Sequence, residues 1–93
     1  MARLLRFHPE ALLEIEDVAS ERGGPFADVA WGAFEQISHL PYAFPEWPGR
    51  FDVRRRVLRT WPYSVVYTVD AESVLIVALA HHKRRPGYWL SRL

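Results

Sequence analysis

The feature that most constrains the fold is a run of seven consecutive apolar residues, Val74–Ala80, near the carboxyl end of the chain. A run of β-branched and aliphatic residues without polar alternation is typical of a strand that is covered on both faces. The chain must therefore build a sheet with cover on both sides of this strand. Its 93 residues suit a single domain, residues 1–93, formed around that sheet.

Further strands surround this run in the sequence. Residues 63–69 and Phe51–Thr60 are rich in β-branched and aromatic residues, and residues 2–7 have the composition of a short first strand. The polar turn at residues 70–73 separates residues 63–69 from the apolar run. We therefore expect these last two strands to form an antiparallel hairpin.

The region between the first strand and residue 41 has helical spacing. Pro9 and Pro25 each suit the first turn of a helix, where the missing N–H costs nothing. Gly23 and Gly24 separate the two predicted helices. Apolar residues recur at steps of three and four along both segments, namely Leu12, Ile15 and Ala19, then Phe26, Val29, Ala30, Ala33, Phe34, Ile37 and Leu40.

The element order is thus β-α-α-β-β-β, which predicts an α+β, two-layer domain with an antiparallel sheet and a helical hairpin packed on one face. Residues 41–49 hold three prolines and several aromatic residues, so we expect an irregular but ordered loop. Trp47 in this loop is either a contact residue or, as we favour, a plug over the edge of the core.

The composition narrows the function classes. The chain has no cysteine, which excludes disulfides, thiol chemistry and cysteine–zinc sites and favours a reducing compartment. Neither a signal peptide nor an apolar stretch of membrane-spanning length is present, so we predict a cytoplasmic protein. No motif for a cofactor or a metal ion is found, and none is expected.

Charge is distributed unevenly along the chain. Residues 1–49 carry three basic and eight acidic groups, whereas residues 50–93 carry nine basic and three acidic groups. A basic half indicates an anionic partner, although charge can also simply segregate between a helical layer and a sheet. Both interpretations remain open at this point.

Two basic clusters lie in the second half. The first cluster lies at residues 53–59. Strand alternation would place its Arg55 and Arg59 on one face and its Arg54 and Arg56 on the other. Since a helix-covered face should not bury arginine, this strand is expected at an edge or a bulge. The charges either protect that edge from aggregation or bind a target.

The second cluster follows the apolar run. It has the composition of a nucleic-acid groove, in which cations meet phosphates and aromatic rings stack on bases, and it comprises His81, His82, Lys83, Arg84, Arg85, Tyr88 and Trp89. Neighbouring histidines on a strand point to opposite faces, so at most one should line a given cleft. Together with Arg59, these residues are the predicted target-binding or nucleic-acid-binding residues.

Three segments carry a resemblance to a known family. They are residues 53–59, Pro-Tyr-Ser-Val-Val-Tyr at residues 62–67, and residues 74–89, which include Ala-His-His-Lys-Arg-Arg-Pro-Gly-Tyr-Trp. In these segments the chain resembles the RelE/ParE superfamily of toxins from bacterial type II toxin–antitoxin systems. The Phe-His-Pro-Glu-Ala opening at residues 7–11 is similar as well. The resemblance implies the β-α-α-β-β-β fold and a cognate antitoxin that binds and neutralises the toxin.

The resemblance leaves three functions. ParE-like members inhibit growth by protein contact with DNA gyrase, which needs no active site, and this is the function we favour from the sequence. RelE-like members are metal-independent, ribosome-dependent endoribonucleases that cleave mRNA. The third alternative is a non-toxic interaction module that binds an antitoxin-like partner.

The ribonuclease alternative implies a basic catalytic cluster that this sequence matches only in part. Arg55 and Arg84 match basic positions, and Tyr88 could supply the terminal tyrosine with a small shift in the alignment. Val57 stands in place of a lysine, and Ser64 stands in place of an arginine. Arg55, Arg84 and Tyr88 are therefore the catalytic candidates only if the protein is a ribonuclease.

Overall fold

The computed structural model describes residues 2–93. In those residues a five-stranded sheet has the strand order β1-β5-β4-β3-β2, and a short 3-10 helix at Leu90–Arg92 ends the chain. The elements are β1 (Leu4–Phe7), α1 (Pro9–Arg22), α2 (Gly24–His39), β2 (Glu46–Trp47), β3 (Arg50–Val57), β4 (Tyr63–Val69) and β5 (Ser73–His81).

The predicted α+β class with a helical hairpin is confirmed, but two details differ. The sheet is mixed, because β1 pairs parallel to β5, with Leu4 opposite Ser73 and Phe7 opposite Ile76. The loop at residues 41–49 also contributes the short strand β2, which pairs antiparallel to β3. Composition identified four of the five strands but carried no information on the direction in which β1 would meet its partner.

Strand β5 lies between β1 and β4 and is covered on both faces, as the apolar run predicted. Val74, Ile76 and Leu79 pack in the core beneath the helices. Val77 and Ala78 belong to a second buried cluster on the opposite face. Two successive residues share that face because the β4–β5 register shifts here, which is the geometry of a β-bulge.

The helical hairpin covers the first face. Phe26 and Ile37 of α2 are fully buried, and Phe34 packs edge-on against Phe7 at a ring-centroid distance of 5.3 Å. Gly23 joins the helices with a φ of +75°, a conformation that glycine adopts without steric cost. Between residues 2 and 93, no helix is long and apolar enough to cross a membrane.

The second face is covered by aromatic residues. Trp89 is fully buried there, and Trp47 of β2 meets it edge-on at a centroid distance of 4.9 Å. Trp47 therefore packs over the core, which agrees with the predicted plug. The loop before β2 is tied to the sheet, because the Tyr67 hydroxyl donates to the carbonyl of Pro41 at 2.6 Å. Burial raises the pKa of Tyr67 to about 12.

Candidate functional site

A cleft of about 290 Å³ opens on the sheet face opposite the helices. We call it the cationic cleft, since its wall carries three arginines and two histidines and includes neither Asp nor Glu. It is lined by Trp47, Arg55, Val57, Ser64, Ala80, His81, His82, Arg84, Arg85, Pro86, Tyr88 and Trp89. The structure thus brings together most of the predicted target-binding residues and all three catalytic candidates.

Alternation along β3 decides which arginine reaches the cleft. Arg55 and Val57 line it, whereas Arg54 and Arg56 point to the helix side. Arg54 donates to the carbonyl of Phe44 at 2.7 Å, and the Arg56 guanidinium donates to the side chain of Gln36 at 2.6 and 3.0 Å. These two arginines therefore hold the loop and α2 at the rim of the sheet.

Arg59 does not share the face of Arg55 as the sequence predicted. Strand β3 ends at Val57, and Arg59 lies exposed in the turn that leads to β4. The predicted strand to Thr60 was too long because the chain turns at Thr60, which has a φ of +64°. Arg59 is therefore not among the residues that line the cationic cleft.

Two arginines of the cleft lie on aromatic rings. The Arg55 guanidinium carbon is 5.1 Å from the ring centroid of Trp47, and that of Arg84 is 3.7 Å from the centroid of Tyr88. Such cation–π contacts fix the guanidinium planes without neutralising their charge. The rings therefore position two cations in the cleft.

Both histidines line the cleft, which corrects the expectation that only one would. Strand alternation stops at His81, the last residue of β5, where the chain turns. His82 Nε2 lies 3.0 Å from Ser64 Oγ, and His81 Nδ1 accepts the backbone N–H of Lys83 at 3.0 Å. Lys83 is exposed on this turn but does not line the cleft.

The two aromatic candidates have different positions. Trp89 is 0% exposed, so it supports the cleft from below and offers no surface to a partner in this structure. The Tyr88 hydroxyl donates to Glu14 Oε2 at 2.8 Å. Burial and that acceptor raise the pKa of Tyr88 far above its ordinary value.

Glu14 is the residue of the site that sequence reasoning missed. The acids of the first helix looked like solvated charges, yet the Glu14 side chain is only 18% exposed. Burial alone would raise the pKa of Glu14, but hydrogen bonds from Arg92, Tyr88 and the Leu79 N–H outweigh burial, and the pKa is lowered. The spacing of α1 gave no signal of these partners, which come from the far end of the chain.

The arginines that line the cationic cleft have no carboxylate partners among the described residues. Within residues 2–93, every salt bridge involves Arg50, Arg54 or Arg92. Arg55, Arg84 and Arg85 are therefore uncompensated. No group of three or more His, Asp or Glu side chains in the described part of the chain could hold a metal ion.

Comparison with known proteins decides the family. The family model described as the ParE toxin of the type II toxin–antitoxin system parDE matches residues 5–86. The chain belongs to the ParE toxin family. It is therefore a type II toxin of the ParE type, and the predicted RelE/ParE superfamily membership is confirmed.

A solved structure agrees with this fold. The ParE-family toxin superimposes on a chain from the chromosomal ParDE TA system from P. aeruginosa with a TM-score of 0.57 and 19% sequence identity. The match covers 86% of this chain and 96% of the other. At this identity the likeness supports the fold alone. No match was found among curated proteins.

Proposed function

We propose that this ParE-family toxin acts in the cytoplasm by protein contact with DNA gyrase, without cleaving RNA, and that a cognate antitoxin neutralises it. The observation that carries the proposal is the chemistry of the cationic cleft at two positions. Where the ribonuclease resemblance implies a lysine and an arginine, the cleft presents Val57 and Ser64. Neither side chain supplies the positive charge with which Lys or Arg stabilises a phosphate during cleavage.

The groups of the cleft that could transfer a proton are also poorly placed for RNA cleavage. The Tyr88 hydroxyl is held by Glu14 and its pKa is raised, so it is a poor proton acceptor near neutral pH. His82 contacts Ser64, but Ser64 is only 6% exposed. Across the described residues no hydrogen bond or salt bridge joins a carboxylate to His81 or His82, so neither has the orienting acid of a nucleophilic triad.

The same face offers anchors for a protein partner. Phe51 is 85% exposed, and Val57 is 51% exposed. Both lie at odd positions of β3, on the side where Arg55 enters the cleft. Beside Phe51, Arg50 and Asp52 form a two-bond ion pair at 2.7 and 2.9 Å, which cancels their charges. Phenylalanine and arginine are both enriched at protein interfaces relative to the rest of the surface.

The helical side supports the antitoxin part of the proposal. A groove of about 350 Å³ runs between the two helices, and its lining includes Ile15, Phe26 and Trp31. Trp31 is 54% exposed. An amphipathic helix of an antitoxin could bury these apolar side chains. This surface is separate from the cationic cleft, so we expect the antitoxin to reach beyond the groove to block the toxin.

Controlled expression in bacterial cells tests the proposed function. We expect arrested growth, a DNA-damage response and no new mRNA breaks on translating ribosomes. Breaks in ribosome-bound mRNA without DNA damage would replace the proposal with the ribonuclease alternative. Normal growth with full antitoxin binding would leave only the interaction module.

A further inference from the structure

Gyrase contact through Phe51 and Val57 leaves the cations of the cleft unexplained. Arg55 comes from β3 and Arg84 from the segment after β5, so β4 lies between their strands. We infer that the cationic cleft and its rim bind the phosphate backbone of duplex DNA without reading the sequence. The inference rests on the proposed function for its setting, because it makes the DNA held by gyrase a second partner of the toxin.

The arrangement of charge favours a repeating anion. Strands two positions apart lie about 10 Å from each other, which exceeds the rise of about 3.4 Å per nucleotide along a duplex. Beyond the cleft, Arg84 and Arg85 also line a neighbouring depression with His8, Glu10 and Arg92, where the two carboxylates of Glu10 and Glu14 neutralise Arg92 and leave Arg84 and Arg85 as its free cations. Lys83 is exposed on the turn just before Arg84. The cations thus form a track longer than one anionic group.

The aromatic residues argue against base stacking. The rings of Trp47 and Tyr88 are covered by the guanidinium groups of Arg55 and Arg84. Trp89 is fully buried. None of these three large rings is therefore free to stack on an unpaired base, which disfavours single-stranded nucleic acid. Planar guanidinium groups fixed by rings match phosphate oxygens, which accept paired hydrogen bonds from arginine.

The test is a salt titration of binding to a short fluorescent DNA duplex, measured by anisotropy. With three to four cations in contact, we expect a slope of about −3 in log affinity against log salt. The double variant R84A/R85A should reduce the magnitude of that slope by about 2 and weaken binding at low salt by more than tenfold. Circular dichroism melts would verify that this variant folds.

The matched control is R6A/R22A, which removes the same charge. Arg6 and Arg22 are exposed on β1 and α1 and do not line the cationic cleft. We expect the wild-type slope for this variant. Equal losses in the two double variants, or no duplex binding by the wild type, would overturn the inference. Displacement of the duplex by an equal concentration of a glutamate-rich peptide would assign the cleft to an acidic protein segment instead.

The outcome is separable from that of the proposed function. Gyrase inhibition by a toxin that does not bind duplex DNA would overturn the inference and leave the proposed function intact. Duplex binding by a toxin that leaves gyrase active would support the inference and overturn the proposed function.

Discussion

Glu14 and Arg92 lie 78 residues apart in the sequence and form a two-bond ion pair, with nitrogen–oxygen distances of 2.9 and 3.0 Å. Arg92 also donates to the carbonyl of Val77 in β5 at 3.0 Å. The pair therefore fixes the end of the chain to both α1 and the sheet. Since Tyr88 and Trp89 lie only four and three residues before Arg92, this contact holds one wall and the floor of the cationic cleft.

Replacement of Glu14 by glutamine should destabilise the fold. The Arg92 side chain is only 10% exposed, so loss of the Glu14 carboxylate would leave a largely buried cation with only the longer contact to Glu10, at 3.8 Å. Because Glu14 retains some solvent access, we expect the free energy of unfolding to fall by about 2 kcal/mol, below the loss for a fully buried pair. Urea denaturation measures the change.

The control for that experiment is Glu16→Gln, on the same helix. Glu16 is exposed, so its replacement should change the free energy of unfolding by less than about 0.5 kcal/mol. Equal stability losses in the two variants would show that helix charge, and not the pair with Arg92, is responsible.

The stability of the wild type should depend on pH through Glu14. Its pKa is lowered from an ordinary value of 4.5, so the folded protein favours the charged form. The stabilisation is present above pH 4.5 and is lost as the pH falls through the lower folded value. Asp70, whose pKa is also lowered, remains in both proteins. The difference in free energy of unfolding between wild type and Glu14→Gln should therefore shrink on acidification, and a constant difference would contradict this assignment.

Gly87 is required where the chain turns from the cationic cleft into the last helix. Its φ is +79°, and a β-carbon at this position would lie 3.0 Å from Leu90 Cδ1. Gly87→Ala should therefore lower the free energy of unfolding by about 1–2 kcal/mol. Gly32, in the middle of α2, has nothing within 4 Å of such a carbon. Gly32→Ala should instead raise stability by roughly 0.5–1 kcal/mol, and thermal melts that rank the two alike would refute the steric argument.

Phe51 should be an anchor for the target. We expect Phe51→Ala to weaken gyrase inhibition more than tenfold while the melting temperature stays within a degree or two, because the ring is 85% exposed. Leu4→Ala is the matched control, since Leu4 is 68% exposed on the opposite edge strand. A Phe51 variant that inhibits as strongly as the Leu4 variant would remove Phe51 from the interface.

Much of the fold could be predicted from local sequence patterns. The bounds of β4 were predicted to the residue, and the apolar run of β5 correctly required cover on both faces. Both features depend on spacing and residue type along one segment. The parallel pairing of β1 with β5 was missed because partner direction depends on the connections between elements.

The site was predictable in composition but not in contacts. The cluster after β5 was identified, yet the burial of Trp89 and the end of β3 before Arg59 depend on tertiary packing. Glu14 was missed for the same reason, since its partners Tyr88 and Arg92 follow it by more than 70 residues. Helical periodicity cannot distinguish an acid that meets solvent from one that meets a distant cation.

The most direct test of the account is the supercoiling of relaxed plasmid by purified gyrase with increasing amounts of the purified toxin. We predict that the toxin inhibits supercoiling in a dose-dependent manner, and that addition of its cognate antitoxin restores it. Full gyrase activity at saturating toxin, with cleavage of mRNA on translating ribosomes by the same preparation, would contradict the account.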